Sequence, residues 1–93
     1  MSKSKTFDAR TRKKMLAIVT NPRDARKAAG VNQTTFWTVF GATQSGGSRY
    51  ETGRALPGPM QLLMALYASG KLTEEDLLGA REALGSTFKA STE

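Results

Sequence analysis

Residues 32–54, NQTTFWTVFGATQSGGSRYETGR, constrain the fold more than any other part of the chain. Asn32 and Thr43 are short side chains whose oxygen can accept a hydrogen bond from an unpaired backbone N–H, so each predicts the start of a helix. Gly41 lies between the two predicted helices, where glycine reaches the left-handed conformation that ends a helix. The second helix would end before Gly53. Two short helices joined by a three- or four-residue turn containing glycine are typical of a helix-turn-helix.

The N-terminal residues of the second helix are suited to a nucleic-acid surface. In a DNA-bound helix-turn-helix, the second helix lies in the major groove and presents its N-terminal residues to base edges. Here these residues are small or polar and include no acid. They predict base contacts by Gln44, Ser45, Gly46, Gly47 and Ser48. The adjacent glycines also make this segment a poor helix in isolation.

Composition excludes several kinds of chemistry. The 93 residues include no cysteine and no histidine, which excludes disulfides, thiolate metal sites and histidine-based catalysis. No apolar run approaches the roughly 20 residues that span a bilayer, and no signal-peptide stretch is present. The acidic residues show no spacing suited to a paired-carboxylate or metal site. We therefore expect a bacterial cytoplasmic protein that is not an enzyme, needs no cofactor or metal, contacts no membrane and lies on the nucleoid when DNA-bound.

Charge is distributed unevenly along the chain. Residues 1–54 hold eleven Lys/Arg against three acids, a net +8, whereas residues 55–93 hold three against five, a net −2. A basic half that contains the helix-turn-helix is expected to face a polyanion, and the other half to build the core and an interface. Lys3 and Lys5 lie in an N-terminal arm, which is either a solubilising tail or a segment that contacts phosphates.

The remaining pattern predicts an all-α bundle of about five to six short helices around the central helix-turn-helix. Helical stretches are expected over 8–19, 22–29, 60–68 and 73–84, with Asn21 as the cap of the second and a rigid Pro-containing loop over 55–59. Residues 8–29 could form one kinked helix or two, and Pro22 favours two. We predict a flexible basic arm over 1–7, a folded domain over 8–85 and a flexible tail over 86–93. Thr73 and Asp76 fit a capping box.

The central run resembles the Cro/cI/xenobiotic-response-element family of helix-turn-helix repressors, with a lambda-repressor-like domain. The residues that carry the resemblance are Asn32-Gln33, Phe36, Phe40-Gly41, Ala42-Thr43, Gln44 to Ser48, and the exit Arg49-Tyr50-Glu51-Thr52-Gly53-Arg54 with Pro57. It covers about residues 24–84. The GGSRYE run is also similar to the DNA-binding half of certain antitoxins.

The resemblance implies roles for individual residues. Gln44 can pair bidentately with adenine N6 and N7, which only the major groove displays, and Gln33 could bridge Gln44 and a phosphate. Arg49 is either a phosphate contact or an intramolecular partner of Glu51 or another acid. Tyr50 is either a core aromatic or a phosphate contact, and Glu51 is expected to be structural. The full set of predicted phosphate contacts is Gln33, Thr34, Thr43, Arg49, Tyr50, Arg54, Lys3 and Lys5.

Two positions depart from the family pattern. Trp37 stands where a small residue is usual, and Gly47 stands where a branched apolar residue is usual. We interpret this as an exchange of bulk between the two helices: the large indole of Trp37 on the first helix fills the space left by the missing side chain of Gly47 on the second. The alternative is a partly exposed Trp37 with its N–H on a phosphate.

The leading functional interpretation is a sequence-specific repressor of phage, plasmid or toxin–antitoxin type that binds double-stranded DNA at an inverted repeat as a homodimer. The dimer surface is expected on the C-terminal helices, at Leu77, Leu78 and Leu84. One alternative is an antitoxin or adaptor that acts mainly through a protein partner. Another is non-specific nucleic-acid packaging.

Overall fold

A computed structural model describes residues 6–91, which fold into six α-helices and a closing 3-10 turn. The helices are α1 Ala9–Thr20, α2 Pro22–Ala28, α3 Gln33–Val39, α4 Gln44–Glu51, α5 Gly58–Ser69 and α6 Glu74–Leu84, and the 3-10 turn is Gly85–Thr87. The predicted all-α bundle with a central helix-turn-helix is confirmed, with α3 and α4 as the two helices. Within residues 6–91, no helix is long and apolar enough to cross a membrane.

Side-chain caps define where four of the helices begin. Asp8 Oδ1 accepts from the Thr11 N–H at 2.8 Å at the start of α1. Asn32 Oδ1 accepts from the Thr35 N–H at 2.8 Å at the start of α3, and Thr43 Oγ1 accepts from the Gly46 N–H at 3.1 Å at the start of α4. Thr73 and Asp76 form the predicted reciprocal capping box. These bonds satisfy N–H groups that have no partner within the helix.

The structure adds detail to two predicted helix ends. Asn21 is the N-cap residue of α2, as predicted, but its side chain makes no capping bond to the backbone of that helix; its amide donates to Asp24 Oδ2 at 2.9 Å. The loop predicted over 55–59 ends earlier, because α5 already begins at Gly58 and places Pro59 in its first turn. Proline is tolerated there since its missing N–H would have had no partner within the helix. Residues 8–29 form two helices, which separate at Asn21.

The core is centred on α3 and is rich in aromatic side chains. Trp37 and Met64 are fully buried, and Trp37 lies 5.3 Å from Tyr50 between ring centroids. Phe36 packs edge-on against both Trp37 and Phe40. The other buried apolar residues are Ile18, Ala42 and Met60. Aromatic pairs in these geometries stabilise a fold beyond their area burial. α3 and its C-terminal cap Phe40 supply most of the buried aromatic side chains.

Trp37 occupies the space that a side chain at position 47 would need. A Cβ built on Gly47 would overlap the Cβ, Cγ and Cδ1 atoms of Trp37. The predicted exchange of bulk between α3 and α4 is therefore confirmed. The alternative of an exposed Trp37 with its N–H on a phosphate is wrong, because the indole is enclosed and its N–H has an internal partner, Glu51.

The segment after α6 returns to the turn between α3 and α4. The Ser91 N–H donates to the Gly41 carbonyl at 2.8 Å, and the Thr43 N–H donates to the Ser91 carbonyl at 2.9 Å. The Phe88 ring lies beside Gly41 and beneath the Arg81 guanidinium, 4.8 Å from it. The flexibility predicted for 86–93 and for the arm 1–7 stays a prediction, and residues 1–5 and 92–93 lie outside the described range.

The packing of Trp37 on Gly47 makes a prediction about compensating substitutions. Trp37→Ala should lower the free energy of unfolding by about 3–5 kcal/mol, because it leaves a cavity in the core. Adding Gly47→Val to this variant should recover part of the loss by filling the cavity, whereas Gly47→Val alone should destabilise the protein through overlap with the indole. Urea unfolding of the four proteins measures these differences.

Gly79→Val is the matched control, because Gly79 lies within α6 with open space around it. This variant measures how much replacing glycine by valine changes the free energy of unfolding through helix propensity alone, without any change in core packing. If the Trp37→Ala, Gly47→Val double variant were no more stable than Trp37→Ala after this correction, the exchange of bulk would be refuted.

Candidate nucleic-acid interface

The turn between α3 and α4 sets the position of the second helix. The Gly41 N–H donates to the Thr38 carbonyl, and the Ala42 N–H donates to the Trp37 carbonyl, both at 3.0 Å. Gly41 has a φ of 82°, which glycine adopts without the steric penalty of other residues. The turn therefore ends α3 through backbone bonds and lets Thr43 cap α4.

A polar cleft lies where the N-terminal half of α4 meets the start of α3. It is open to solvent, has a volume of about 370 Å³, and is lined by Gln33, Gln44, Ser45, Ser48 and Arg49. Gln44, Ser45 and Arg49 are exposed, while Gln33 and Ser48 are half-buried. The cleft presents amide, hydroxyl and guanidinium groups and no carboxylate. Such a surface offers the donors and acceptors that pair with base edges and phosphates.

The structure brings only part of the predicted contact set to this cleft. Gly46 and Gly47 are buried on the inner side of α4, and Tyr50 is buried in the core. Thr34 is exposed on α3, Arg54 is exposed beyond α4, and Thr43 is half-buried at the cap. The lysines of the predicted arm, Lys3 and Lys5, lie outside the described residues. Base or phosphate contacts by these residues stay predictions, and burial favours the core role of Tyr50.

The carboxylate of Glu51, at the end of α4, accepts hydrogen bonds from three other side chains. Arg26 of α2 donates from Nε to Oε2 at 2.8 Å and from a terminal nitrogen to Oε1 at 3.0 Å. The Trp37 indole N–H donates to Oε2 at 2.7 Å, and the Gln33 amide donates to Oε1 at 3.3 Å. The Glu51 side chain is only 2% exposed. One buried carboxylate thus joins α2, α3 and α4.

The cluster around Glu51 refines three sequence interpretations. The expected structural role of Glu51 is present, and Arg26 is its arginine partner. Arg26 is half-buried in this cluster. Gln33 donates its amide N–H to Glu51 and also lines the cleft. Sequence reasoning missed Glu51 as the acceptor of the Trp37 indole N–H, because spacing alone does not show where an N–H points.

Electrostatics in this cluster favour the charged forms. Burial raises the pKa of Glu51, but the hydrogen bonds from Arg26, Trp37 and Gln33 outweigh burial and leave that pKa below its usual value. The same hydrogen bond raises the pKa of Arg26. An ionised pair with all its donors satisfied holds its geometry over the neutral pH range.

The leucines predicted for the dimer surface divide into two groups. Leu77 packs against the core, whereas Leu78 is 47% exposed and Leu84 is 51% exposed. α6 has no buried residue and is attached through Leu77 and through Arg81, which donates to the Thr38 carbonyl. Of the three leucines, Leu78 and Leu84 are therefore the ones available to a partner.

Comparisons with known proteins place the helix-turn-helix in a defined family. A family model described as an RsaL-like HTH domain matches residues 23–67. A solved structure, from work on the regulatory mechanism of the quorum-sensing repressor RsaL in Pseudomonas aeruginosa, superposes with a TM-score of 0.60. It is 39% identical in sequence, and the match covers 72% of this chain and 94% of that chain. The search of curated proteins gave no match.

The Glu51 cluster predicts how stability depends on pH. Glu51→Gln should lower the free energy of unfolding at pH 7 by about 1–3 kcal/mol, because it leaves the half-buried Arg26 guanidinium without its charged partner. Since the pKa of Glu51 is lower in the folded state, its ionisation stabilises the protein above the unfolded pKa of about 4.3, and this stabilisation is lost as pH falls through the folded pKa. Urea unfolding at pH 7 and at pH 3 measures the effect.

The difference in the free energy of unfolding between wild type and Glu51→Gln should therefore be smaller at pH 3 than at pH 7. Glu75→Gln is the control, because Glu75 is an exposed carboxylate on α6 and its loss should change stability by less than about 0.5 kcal/mol. A Glu51→Gln variant as stable as Glu75→Gln at pH 7 would contradict the structural role of the cluster.

Proposed function

The chain belongs to the RsaL-like helix-turn-helix family, and from this premise we propose that it is a sequence-specific transcriptional repressor that binds double-stranded DNA through the major groove. The helix-turn-helix resemblance seen in the sequence agrees with this family. A repressor acts by occupying a promoter, and the family relative with 39% identity is itself described as a repressor. We place the protein on DNA in the bacterial cytoplasm.

The observation that carries the proposal is the acid-free polar cleft at the N-terminal half of α4. Gln44 and Ser45 are exposed at the first two positions of that helix, where a recognition helix meets base edges. Gln33, whose amide donates to Glu51, also lines the cleft. Gln44 is the residue we assign to an A·T pair, with its amide donating to adenine N7 and its carbonyl accepting from N6.

Contacts to the DNA backbone complete the proposed interface. Arg49 and Ser48 line the cleft beside Gln44, and we propose that they contact phosphates on either side of the groove, together with Thr34 and Arg54. Lys3 and Lys5 of the N-terminal arm would add phosphate contacts, which raise affinity without specificity. The net +8 of residues 1–54 favours this side of the molecule for DNA.

We further propose that the repressor binds an inverted repeat as a homodimer. A helix of eight residues contacts too few base pairs to find one site in a genome, and a two-fold dimer doubles the length of sequence that is read. The exposed leucines of the C-terminal half supply apolar surface for a second copy.

Selection from a pool of random duplexes, followed by a mobility-shift titration at physiological salt, tests the function. Wild type should enrich one inverted repeat and retain it against an excess of unrelated DNA. Gln44→Ala should weaken binding to the selected repeat by about 10-fold per half-site, because one bidentate base contact is lost, while binding to unrelated DNA stays within about 2-fold.

Ser86→Ala is the control variant, because Ser86 is exposed in the 3-10 turn and away from the cleft. It should bind as wild type does. If the protein bound every duplex with the same affinity, if that affinity fell steeply with salt and if Gln44→Ala had no effect, the protein would be a non-specific polycation. Absence of binding at any salt would refute the DNA-binding proposal and favour a protein partner.

A further inference from the structure

The end of α6 and the segment that follows it contact the turn of the helix-turn-helix at three points. One contact is made by the Arg81 guanidinium, one by the Phe88 ring and one by the backbone of Ser91. All three lie on residues 38–43, which end α3, form the turn and cap α4. The contacting residues lie beyond residues 23–67, the part of the chain that the RsaL-like family model matches. The helix-turn-helix is therefore also held by a segment outside its own two helices.

The backbone of residues 88–91, which we call the strap, pairs with this turn. Ala42 and Ser91 form a parallel bridge. The Ser91 N–H donates to the Gly41 carbonyl at 2.8 Å, and the Ser91 carbonyl accepts from the Thr43 N–H at 2.9 Å. Because the two bonds hold both neighbours of Ala42, they restrict the backbone that leads from α3 into α4.

Two side chains anchor the strap. The half-buried Phe88 ring lines a small apolar pocket of about 130 Å³ together with Phe40 and Leu77. The Arg81 guanidinium lies over this ring, 4.8 Å from its centroid, and donates to the Thr38 carbonyl. Arg81 thus places its charge on an aromatic face and at the C-terminal end of α3, where the helix dipole favours a cation. Burial, stacking and the two backbone bonds together give the strap one position on the turn.

The strap binds directly beside the residues that we assign to base edges. Thr43, whose N–H donates to the strap, is the N-cap of α4, and Gln44 is the first residue of that helix. The pairing of Gln44 with adenine needs two hydrogen bonds of correct length and angle, so a small shift of the start of α4 weakens it. The adjacent glycines give α4 a low helix propensity, so bonds from outside the helix help to determine where it begins.

We propose that the strap positions the recognition helix α4, and that Arg81, Phe88 and Ser91 are positioning residues for base readout by Gln44. They act through the turn and α4 and not through contact with DNA. Specific binding then depends on the strap, whereas phosphate contacts, which supply affinity without sequence preference, depend on it little. This inference rests on the proposed DNA-binding function and names residues on which its specificity depends.

Substitutions at Ser91 in the full chain test the backbone bridge. Ser91→Pro removes the N–H that donates to Gly41, whereas Ser91→Ala is the matched control, because both bridge bonds come from the backbone and remain. In mobility-shift titrations, Ser91→Pro should bind the selected duplex about 10-fold more weakly per half-site, as if the base contact of Gln44 were lost. Its binding to unrelated DNA should stay within about 2-fold of wild type. Ser91→Ala should bind both duplexes as wild type does.

Phe88→Ala tests the side-chain anchor independently of any proline effect. It should lower affinity for the selected duplex in the same direction as Ser91→Pro and leave binding to unrelated DNA within about 2-fold. Thr87→Ala is its control, because Thr87 is exposed in the neighbouring 3-10 turn, and it should bind as wild type does. Circular dichroism at the assay temperature checks that each variant retains the helical fold.

Combining Ser91→Pro with Gln44→Ala separates positioning from a general loss of stability. If the strap acts through Gln44, Ser91→Pro should weaken binding to the selected duplex by less than about 3-fold once Gln44 is alanine, since the contact that the strap positions is already absent. A strap that only stabilised the fold would cause the same loss of affinity in both backgrounds, and that result would overturn the positioning role.

Hydrogen exchange of the free wild-type protein tests the docking of the strap without DNA. The Ser91 amide hydrogen should exchange at least about 10-fold more slowly than in an unstructured peptide, because it is bonded to Gly41. Exchange at the rate of an unstructured peptide would overturn the inference.

The outcomes also separate this inference from the proposed function. A wild type that discriminates the selected duplex and depends on Gln44, but tolerates both Ser91→Pro and Phe88→Ala, would refute the role of the strap alone and leave the repressor function standing. A wild type that discriminates no duplex would overturn the proposed function, and the positioning role with it.

Discussion

The rest of the structure depends on the buried carboxylate of Glu51 and its four N–H donors. Removing a carboxylate from water costs several kcal/mol unless it is paired and hydrogen-bonded. Arg26, Trp37 and Gln33 together supply that compensation, and they come from α2 and α3 while Glu51 ends α4. The three helices must therefore adopt one relative arrangement for the carboxylate to be satisfied. The cleft that we assign to DNA is formed by two of these helices, so the same cluster fixes its shape.

Close packing between α3 and α4 adds a second constraint. A helix with adjacent glycines has low intrinsic stability, and here Gly47 is the position at which the Trp37 indole approaches the backbone of α4. The helix is held by its Thr43 cap, by the indole and by Tyr50, rather than by its own propensity. α4 can therefore present small residues towards a groove while its inner side stays rigid.

Much of this fold follows from local sequence signals. The caps at Asn32, Thr43 and Thr73 and the glycine at position 41 are short-range features, and each appears in the structure as the sequence predicts. Asn21 illustrates the limit of such signals, because a capping residue beside an acid has a second partner available and here donates to Asp24.

Long-range features were harder to predict. The pairing of Trp37 with Gly47 could be inferred, because two departures from one family pattern had complementary volumes. The donation from Trp37 to Glu51 and the packing of Phe88 beside Gly41 could not, since both depend on where side chains from distant segments point. The sequence also did not show that Leu77 packs against the core. A leucine pattern on one helix does not show which leucines face a neighbouring helix.

The most direct test of the account is a comparison of ¹⁵N–¹H spectra of the free protein and of the protein bound to its selected duplex. If Gln44 reads a base from a helix held rigid by Glu51, the Gln44 side-chain amide and the backbone amides of Ser45 and Ser48 should shift strongly on binding. The Trp37 indole N–H should stay protected from exchange and shift little, because its bond to Glu51 is retained. Large shifts confined to α6, or an indole N–H that exchanges freely with solvent in either state, would contradict the account.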